Sequence, residues 1–276
     1  MLRAATVAAA VAFAVSLLAP SDARASSGRL AVFGLTADQR LIRFESDAPG
    51  AASDVGALSG LVIDAAIVGI DFRPATGDLY GLGDAGGVYV IDTATALAAL
   101  RSRLDVALAG ARFGIDFNPT VDRLRVVSDS GQNLRVNVDT GLTTVDLPLA
   151  YTAPATDVTA VAYTNNDSDP NTATTLLAID TSLDQVAILS PPNDGKLAAT
   201  GKLGGDASAD AGLDVYSFVE GGTTTSAAAF ASITAGGRSR FASVQLATGR
   251  AVSLGRFRAG DVVTDVALPV NQPAAE

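Results

Sequence analysis

Four aspartates recur at similar intervals along the chain, and they are the first candidates for chemistry. Two of them lie in near-identical segments, GIDFRP (69–74) and GIDFNP (114–119). The positions aligned on this motif are Asp71, Asp116, Ala162, Asp214 and Asp265, at spacings of 45, 46, 52 and 51 residues. Carboxylates that a repeat gathers at one place can bind a hard cation such as Ca²⁺ or a ligand amine, because their mutual repulsion requires a counter-ion.

The same aspartates also have a structural interpretation. Each carboxylate can accept hydrogen bonds from backbone amides of the adjacent repeat, which needs no ligand. Ala162 stands where the other repeats have Asp, so a complete five-fold ring of carboxylates is not expected. Both interpretations, a ligand site and a structural role, are compatible with the sequence.

A loop rich in oxygen donors is the second candidate. The segment TNNDSDPNT (164–172) contains Asn165, Asn166, Asp167 and Asp169, and side-chain oxygens of these types are ligands of Ca²⁺. The EF-hand pattern, with its Gly and terminal Glu, is absent. Asn, Asp, Ser and Pro also form turns without any metal, so an ordered polar turn is the alternative.

A polar cluster in an otherwise apolar chain is the third candidate. Arg123 and Arg125 alternate along a predicted strand and would share one face, with Asn118 nearby and Arg73 at the corresponding position of the preceding repeat. The guanidinium group can bind carboxylates or sugar hydroxyls. The alternative is that these arginines form salt bridges between repeats, for example with Asp122 or Asp129.

The composition excludes several classes of function. The 276 residues include no His and no Cys, which removes Ser-His-Asp triads, Cys-His chemistry, His-ligated zinc or haem, and disulfides. The formal net charge of −10 argues against a nucleic-acid partner. A small molecule, a glycan or a protein stays open as the partner. Ca²⁺ is a possible cofactor, and the sequence makes none certain.

The first 25 residues predict a signal peptide. Arg3 precedes a short apolar run, and Ala23-Arg24-Ala25 matches an A-x-A cleavage site. No later segment reaches eighteen uninterrupted apolar residues, so no transmembrane segment is expected in the mature chain. The predicted organisation is a signal peptide (1–25) and a single domain (26–276) that is secreted or periplasmic.

The elements that position these candidates are short strands separated by turns rich in Gly, Asp and Thr. Internal units begin near Gly69, Gly114, Ala160 and Gly212, and each contains four strands in about 45–52 residues, which is typical of a propeller blade. The best helical candidate, residues 94–108, is also compatible with a loop or an outer strand.

The two ends of the pattern complete one another. Residues 30–50 contain the second and third strands of a blade but no first strand, and VVTDVALP (262–269) resembles a first strand with none after it. The sequence therefore predicts an all-β, five-bladed propeller, closed by pairing of the C-terminal strand with the N-terminal blade. Such closure removes exposed sheet edges.

Several segments resemble a known bacterial family, catalogued as domain of unknown function 4394 (DUF4394). They are FGLTADQRLIRFESDAPG, GIDFRPATGDLYGLG, AYTNNDSDPNTATTLLAID and, most specifically, FNPTVDRLRVVSDSGQNLR. The resemblance covers roughly residues 30–269 and implies a secreted or cell-envelope, propeller-like domain. It brings no established activity, substrate or catalytic residue.

The functional hypothesis is a non-catalytic, extracytoplasmic module that binds a ligand or a protein, because polar loops lie on a rigid scaffold without recognisable nucleophile or base. The alternatives are a calcium-assisted hydrolase or lyase acting on an extracellular carbohydrate or small molecule, and a purely structural envelope protein. The sequence does not decide whether the protein is an enzyme, but it favours a binding module.

Overall fold

Twenty strands in five four-stranded antiparallel sheets make up the computed structural model. It describes residues 29–272 except 154, 156, 168, 170 and 209. The predicted signal peptide (1–25) lies outside the described residues, so it and the boundaries of the predicted domain (26–276) stay predictions. No described helix is long and apolar enough to cross a membrane.

Each sheet is one blade, numbered here from the blade at the start of the described chain. Blade 1 contains β1 (Ala31–Thr36), β2 (Arg40–Glu45), β3 (Ser53–Ala57) and β20 (Val263–Ala267). Blade 2 contains β4 (Ile67–Phe72), β5 (Leu79–Gly83), β6 (Gly87–Ile91) and β7 (Ala98–Arg103). Blade 3 contains β8 (Phe113–Asn118), β9 (Arg123–Ser128), β10 (Asn133–Val136) and β11 (Thr143–Val145).

The remaining two blades have the same strand order. Blade 4 contains β12 (Val158–Tyr163), β13 (Leu176–Asp180), β14 (Gln185–Leu189) and β15 (Leu197–Lys202). Blade 5 contains β16 (Ala211–Glu220), β17 (Thr223–Ala235), β18 (Arg238–Val244) and β19 (Ala251–Arg256). Two 3₁₀ turns, Pro49–Ala51 and Pro192–Asp194, lie in connections, and the helical candidate at 94–108 is instead the outer strand β7 and its flanks.

The predicted closure of the ring is confirmed. In blade 1 the order is β20-β1-β2-β3, and β20 pairs antiparallel with β1, with Ala267 opposite Phe33. Gln272 extends this connection, because its side chain accepts a hydrogen bond from the Ala31 amide (2.7 Å) and donates one to the Ala31 carbonyl (2.9 Å). The five innermost strands β20, β4, β8, β12 and β16 each contact their neighbours around the axis.

The hydrophobic core lies between blades rather than within one layer. Five clusters of buried side chains occupy the five interfaces between neighbouring blades. At the interface that closes the ring, Phe44 of blade 1 makes edge-to-face contacts with Phe241 (5.0 Å between centroids) and Phe257 (5.1 Å). Burying a side chain of this size contributes about 1.5–3 kcal/mol, so these rings stabilise the closing interface.

Small residues let the innermost strands approach closely. A Cβ on Gly114 would lie 2.6 Å from the Ala160 Cα, and one on Gly212 would lie 2.5 Å from the Asp265 Cα. Both distances are shorter than real carbon contacts, because each glycine faces the backbone of the next inner strand. The glycine of the GIDF motif is therefore required by the contact between blades.

The pairing register corrects the alignment of one repeat. Asp71 pairs with Tyr80, and the equivalent aromatic residue of blade 1, Phe33, pairs with Ala267. Ala267 thus occupies the position of Asp71 in its blade, and Asp265 lies two residues earlier, at the position of Gly69. The predicted alignment of Asp265 with Asp71 is wrong. In the Thr-Asp-Val-Ala segment of β20 the carboxylate lies two residues before the aligned position, and residues two apart along a strand point to the same face.

We predict that Gly114→Ala destabilises the protein by at least about 2 kcal/mol, because the added methyl group meets backbone atoms that cannot move independently. Urea unfolding followed by far-UV circular dichroism measures this change. The control is Gly205→Ala, whose Cβ would meet only the flexible Arg240 side chain at 3.6 Å. It should change the free energy of unfolding by less than about 0.5 kcal/mol. Equal effects of the two substitutions would contradict the close-approach argument.

Candidate functional site

Four aspartates meet at the propeller axis, and we call Asp71, Asp116, Asp214 and Asp265 the axial carboxylates. They lie on the inner strands β4, β8, β16 and β20, and each is at most 6% exposed. Carboxylate oxygens of Asp71, Asp116 and Asp214 all lie within 4.8 Å of one another. The inner strands therefore bring these four side chains to the axis, three from the repeated position and Asp265 from the position of Gly69.

Each axial carboxylate also connects two blades. The backbone N–H of Phe117 donates to Asp71 (2.7 Å), and that of Tyr163 donates to Asp116 (3.0 Å). The amides of Leu268 (2.5 Å) and Ile70 (2.8 Å) donate to Asp214 and Asp265 respectively. These bonds join blades 2–3, 3–4, 5–1 and 1–2, so the structural interpretation of the aspartates has direct support.

Blade 4 makes its connection to blade 5 differently, because Ala162 has no carboxylate. The Asn166 side chain donates to the Val215 carbonyl (3.1 Å), and its backbone N–H donates to Ser217 Oγ (2.9 Å). Asp167 accepts a hydrogen bond from the Thr224 amide (2.9 Å) on the β16–β17 hairpin. The predicted calcium loop thus joins the two blades whose axial connection is missing.

The other members of this loop bond locally. The Asn165 side chain donates to the Ala173 carbonyl, and Asp169 accepts from the Asn171 backbone and side chain. Asp167 in turn accepts from the Asp169 amide. Such bonds form an ordered polar turn. Calcium binding by Asn165, Asn166, Asp167 and Asp169 stays a prediction.

The predicted arginine cluster is divided between two blade interfaces. Arg73 forms a two-pronged ion pair with Asp122 of blade 3 and also contacts Asp139 (3.0 Å). Arg125 is only 1% exposed, and it binds Asp146 (2.7 Å) and, in blade 4, Asn193 (2.9 Å). Both guanidinium groups therefore have partners that hold neighbouring blades together.

The two other members of that cluster have local contacts. Asn118 accepts hydrogen bonds from the amides of Thr120 and Val121 and so shapes the β8–β9 turn. Arg123 donates to the Val121 and Asp122 carbonyls of the same turn. Through Asp122, Arg73 lies beside the turn that contains Asn118 and Arg123, whereas Arg125 lies at the interface of blades 3 and 4. A ligand role for these four residues stays a prediction.

A cavity of about 200 Å³ opens at the end of the axis where the inner strands begin, and we call it the mouth cavity. All five blades contribute to its lining. Representative lining residues, in the order of the blades, are Gln39 and Thr264, Val68, Arg112, Thr159 and Asp210. Sequence analysis did not find this site, because its residues have no common motif and lie just outside or at the start of the repeated strands.

Three β-bulges turn side chains into the mouth cavity. The pairing registers of β4, β12 and β20 each skip one residue, which is Val68, Thr159 or Thr264. A bulge redirects the side chain of its extra residue, and all three line the cavity. Thr159 is 2% exposed, and its Oγ1 has no hydrogen-bond partner within the described residues.

One ion pair crosses the mouth of the axis. Arg112 precedes β8 in blade 3, Asp210 precedes β16 in blade 5, and Arg112 Nε lies 3.1 Å from Asp210 Oδ1. The Arg112 backbone is fixed by Asp129, whose carboxylate accepts from the amides of Ala111 (2.9 Å) and Arg112 (3.2 Å). A positive and a negative group are therefore held beside the same cavity.

Comparison with protein families shows to which family this chain belongs. The family model described as "Domain of unknown function (DUF4394)" matches residues 40–267. The chain belongs to the DUF4394 family. No match was found among curated proteins. The description of DUF4394 assigns no activity, so the function of this member is argued from its own geometry.

Solved structures resemble this DUF4394 chain only distantly. A Bacteroides thetaiotaomicron protein of unknown function has a TM-score of 0.48 and 14% identity, with 89% of this chain and 66% of that chain covered. An auxiliary nutrient binding protein from Bacteroides ovatus has a TM-score of 0.40 and 12% identity, with 61% and 46% covered. This DUF4394 chain thus spans about half the length of the latter protein.

Burial of the axial carboxylates raises their pKa values in the DUF4394 propeller. Loss of hydration is the largest cause for all four, and repulsion from neighbouring carboxylates adds to it at Asp71, Asp116 and Asp265. The pKa of Asp214 rises from 3.8 to about 6. No described Lys or Arg forms an ion pair with this cluster, so a proton or a bound cation must reduce its charge.

The spacing of the cluster is compatible with a bound cation. Two oxygens that each lie about 2.4 Å from a shared Ca²⁺ are at most about 4.8 Å apart, which agrees with the separation of the Asp71, Asp116 and Asp214 oxygens. These three carboxylates could hold such an ion. Because each is deeply buried, the ion would have a structural role with little access for a substrate.

We predict that, in the presence of a chelator that removes divalent cations, the melting temperature falls as the pH rises from about 5 to about 8. A carboxyl group with a raised pKa in the folded state binds its proton more tightly there than in the unfolded chain. Its stabilising effect is complete below the ordinary pKa of 3.8 and is lost as the pH rises through the folded-state pKa, about 6 for Asp214. A melting temperature that rises over this range would contradict the expectation.

Two substitutions at Asp116 separate charge from hydrogen bonding. Asp116→Asn removes a negative charge but keeps an acceptor for the Tyr163 amide, so it should weaken the pH dependence and preserve stability at about pH 8. Asp116→Ala leaves that buried amide without its acceptor and should cost about 1–3 kcal/mol. Thermal melts of both variants over the same pH range test the assignment, which fails if Asn and Ala behave alike.

Proposed function

We propose that this propeller is a non-catalytic, extracytoplasmic binding module whose ligand is a small polar molecule held in the mouth cavity. The observation that carries the proposal is the mouth cavity, which all five blades line and beside which Arg112 and Asp210 form an ion pair. A concave site with a few convergent polar groups is the usual form of a small-molecule site.

The dimensions of the cavity favour a small ligand over a glycan. A volume of about 200 Å³ lies below the roughly 300–1,000 Å³ typical of sites for drug-sized molecules. Water occupies about 30 Å³ per molecule in the liquid, so the space corresponds to roughly six or seven waters. An oligosaccharide would have to lie outside this space, on the rim.

The chemistry of the site favours binding over hydrolysis. The axial carboxylates are at most 6% exposed, and each accepts a backbone hydrogen bond. A catalytic metal needs an open coordination position that substrate or water can reach. The closed geometry therefore supports a binding module more than the calcium-assisted hydrolase or lyase.

The extracytoplasmic location in this proposal rests on the signal peptide that residues 1–25 predict. Mass spectrometry of the protein secreted by its native cell, or recovered from its envelope, should give a mature N-terminus at Ser26. A cytoplasmic product that retains residues 1–25 would contradict the location without affecting the binding site.

We predict that Val68→Phe abolishes binding at the mouth, because the larger side chain on a bulge fills the cavity. The probes are alanine, lactate, ethanolamine and glycerol, each tested separately by ligand-observed NMR against the folded protein. The control is Val121→Phe, at a residue that is 54% exposed and is not part of the cavity lining. At least one probe should bind to the wild type and the control but not to Val68→Phe.

Two results of this experiment would contradict the proposed binding site. If no probe binds, or if Val68→Phe binds as well as the control variant, the mouth cavity is not the binding site. Melting curves of both variants verify that the propeller remains folded.

A further inference from the structure

The proposed binding site contains charged groups that narrow the class of its ligand. Arg112 and Asp210 lie on opposite sides of blade 4 and meet through a single contact, Nε to Oδ1 at 3.1 Å. Their side chains are 48% and 27% exposed, so both remain accessible from the cavity mouth. A guanidinium group offers several donors in a fork, and this contact uses one of them.

Both partners of this ion pair have unused hydrogen-bonding capacity. In the described part of the chain, Nη2 of Arg112 donates to no acceptor, and Oδ2 of Asp210 accepts from no donor. The site therefore presents a cationic donor and an anionic acceptor beside one small cavity.

The carboxylates inside the axis indicate how a charged ligand would be oriented in the mouth cavity. Thr264 lines the cavity, and the next residue of β20 is the buried Asp265, about 3.3 Å further along the strand. Asp71, Asp116 and Asp214 lie deeper on the same axis. No described Lys or Arg forms an ion pair with these carboxyl groups, so a ligand ammonium group oriented toward them can reduce their mutual repulsion in place of a proton, and the negative end of the ligand then lies near Arg112 at the mouth.

We propose that the mouth cavity binds a small zwitterion of the α-amino-acid class, with its carboxylate on Arg112 and its ammonium group toward Asp210 and the axial carboxylates. This inference rests on the proposed function and specifies the ligand of the same site. The volume of about 200 Å³ accommodates a small amino acid and excludes a long peptide.

The experiment compares alanine with molecules that lack one of its charges. Isothermal titration with alanine, alaninamide, lactate and glycerol separates the contributions of the ammonium and carboxylate groups. Alanine should bind at least about tenfold more tightly than alaninamide, which lacks the carboxylate, or lactate, which lacks the ammonium group. Each analogue loses the charge-assisted hydrogen bonds that the missing group would make.

Matched variants locate the binding. Arg112→Gln and Asp210→Asn should each weaken alanine binding by about tenfold or more. Arg101→Gln is the control, because Arg101 also forms an ion pair (2.8 Å, with Asp139) and is 51% exposed, but it lies on the outer strand β7. It should leave alanine binding unchanged.

The outcomes distinguish the two proposals. If glycerol or lactate binds as tightly as alanine and Val68→Phe abolishes that binding, the mouth is a binding site but the zwitterion class is wrong. If alanine binds and Arg112→Gln behaves like Arg101→Gln, the assigned carboxylate contact is wrong. If none of the four compounds binds, both the zwitterion class and the proposed function fall.

Discussion

The close approach of five inner strands around one axis is the constraint on which the rest of this structure depends. At the point of closest contact the chain has Gly69, Gly114, Ala160 and Gly212. A Cβ on Gly114 or Gly212 would meet the neighbouring backbone, and one on Gly69 would meet the Ile115 side chain. In the fifth inner strand the same position holds Asp265, whose carboxylate occupies the space that Gly69 and Gly212 leave free. Packing at the axis therefore decides which residue types the motif contains.

Crowding at the axis also explains why acidic side chains are buried there. Backbone amides at the inner edges of the blades have no further strand to pair with, and carboxylates from the neighbouring blade accept their hydrogen bonds. Burial and, secondarily, repulsion among these carboxylates raise their pKa values, so the same packing that aligns the blades makes the axis receptive to positive charge. Between the outer parts of the blades, Arg73 and Arg125 form connections with opposite charges instead.

The sequence predicted the architecture because one short motif recurs and the missing strand at one end appears at the other. It could not predict the register of β20, since the bulge at Thr264 and the displaced Asp265 have no distinguishing pattern. Residues 94–108 have good helix formers, yet β7 forms there because β6 offers an edge to pair with, and tertiary pairing outweighs local propensity. The mouth cavity was missed because Arg112 and Asp210 are 98 residues apart and meet only across the axis of the folded propeller.

The way the ring closes has a consequence for how the protein is made. Blade 1 takes β20 from one end of the described chain and its other strands from the other end, and Ala31 and Gln272 meet across 241 residues. During synthesis on a ribosome, blades 2 to 5 can assemble while blade 1 still has an unpaired edge. The unpaired edge of blade 1 is covered only when the last strand, β20, has left the ribosome and paired with β1. Truncation by a premature stop codon would therefore leave an aggregation-prone sheet. The adjacency of Ala31 and Gln272 also makes this propeller a natural scaffold for circular permutation, with new ends in a connection between blades.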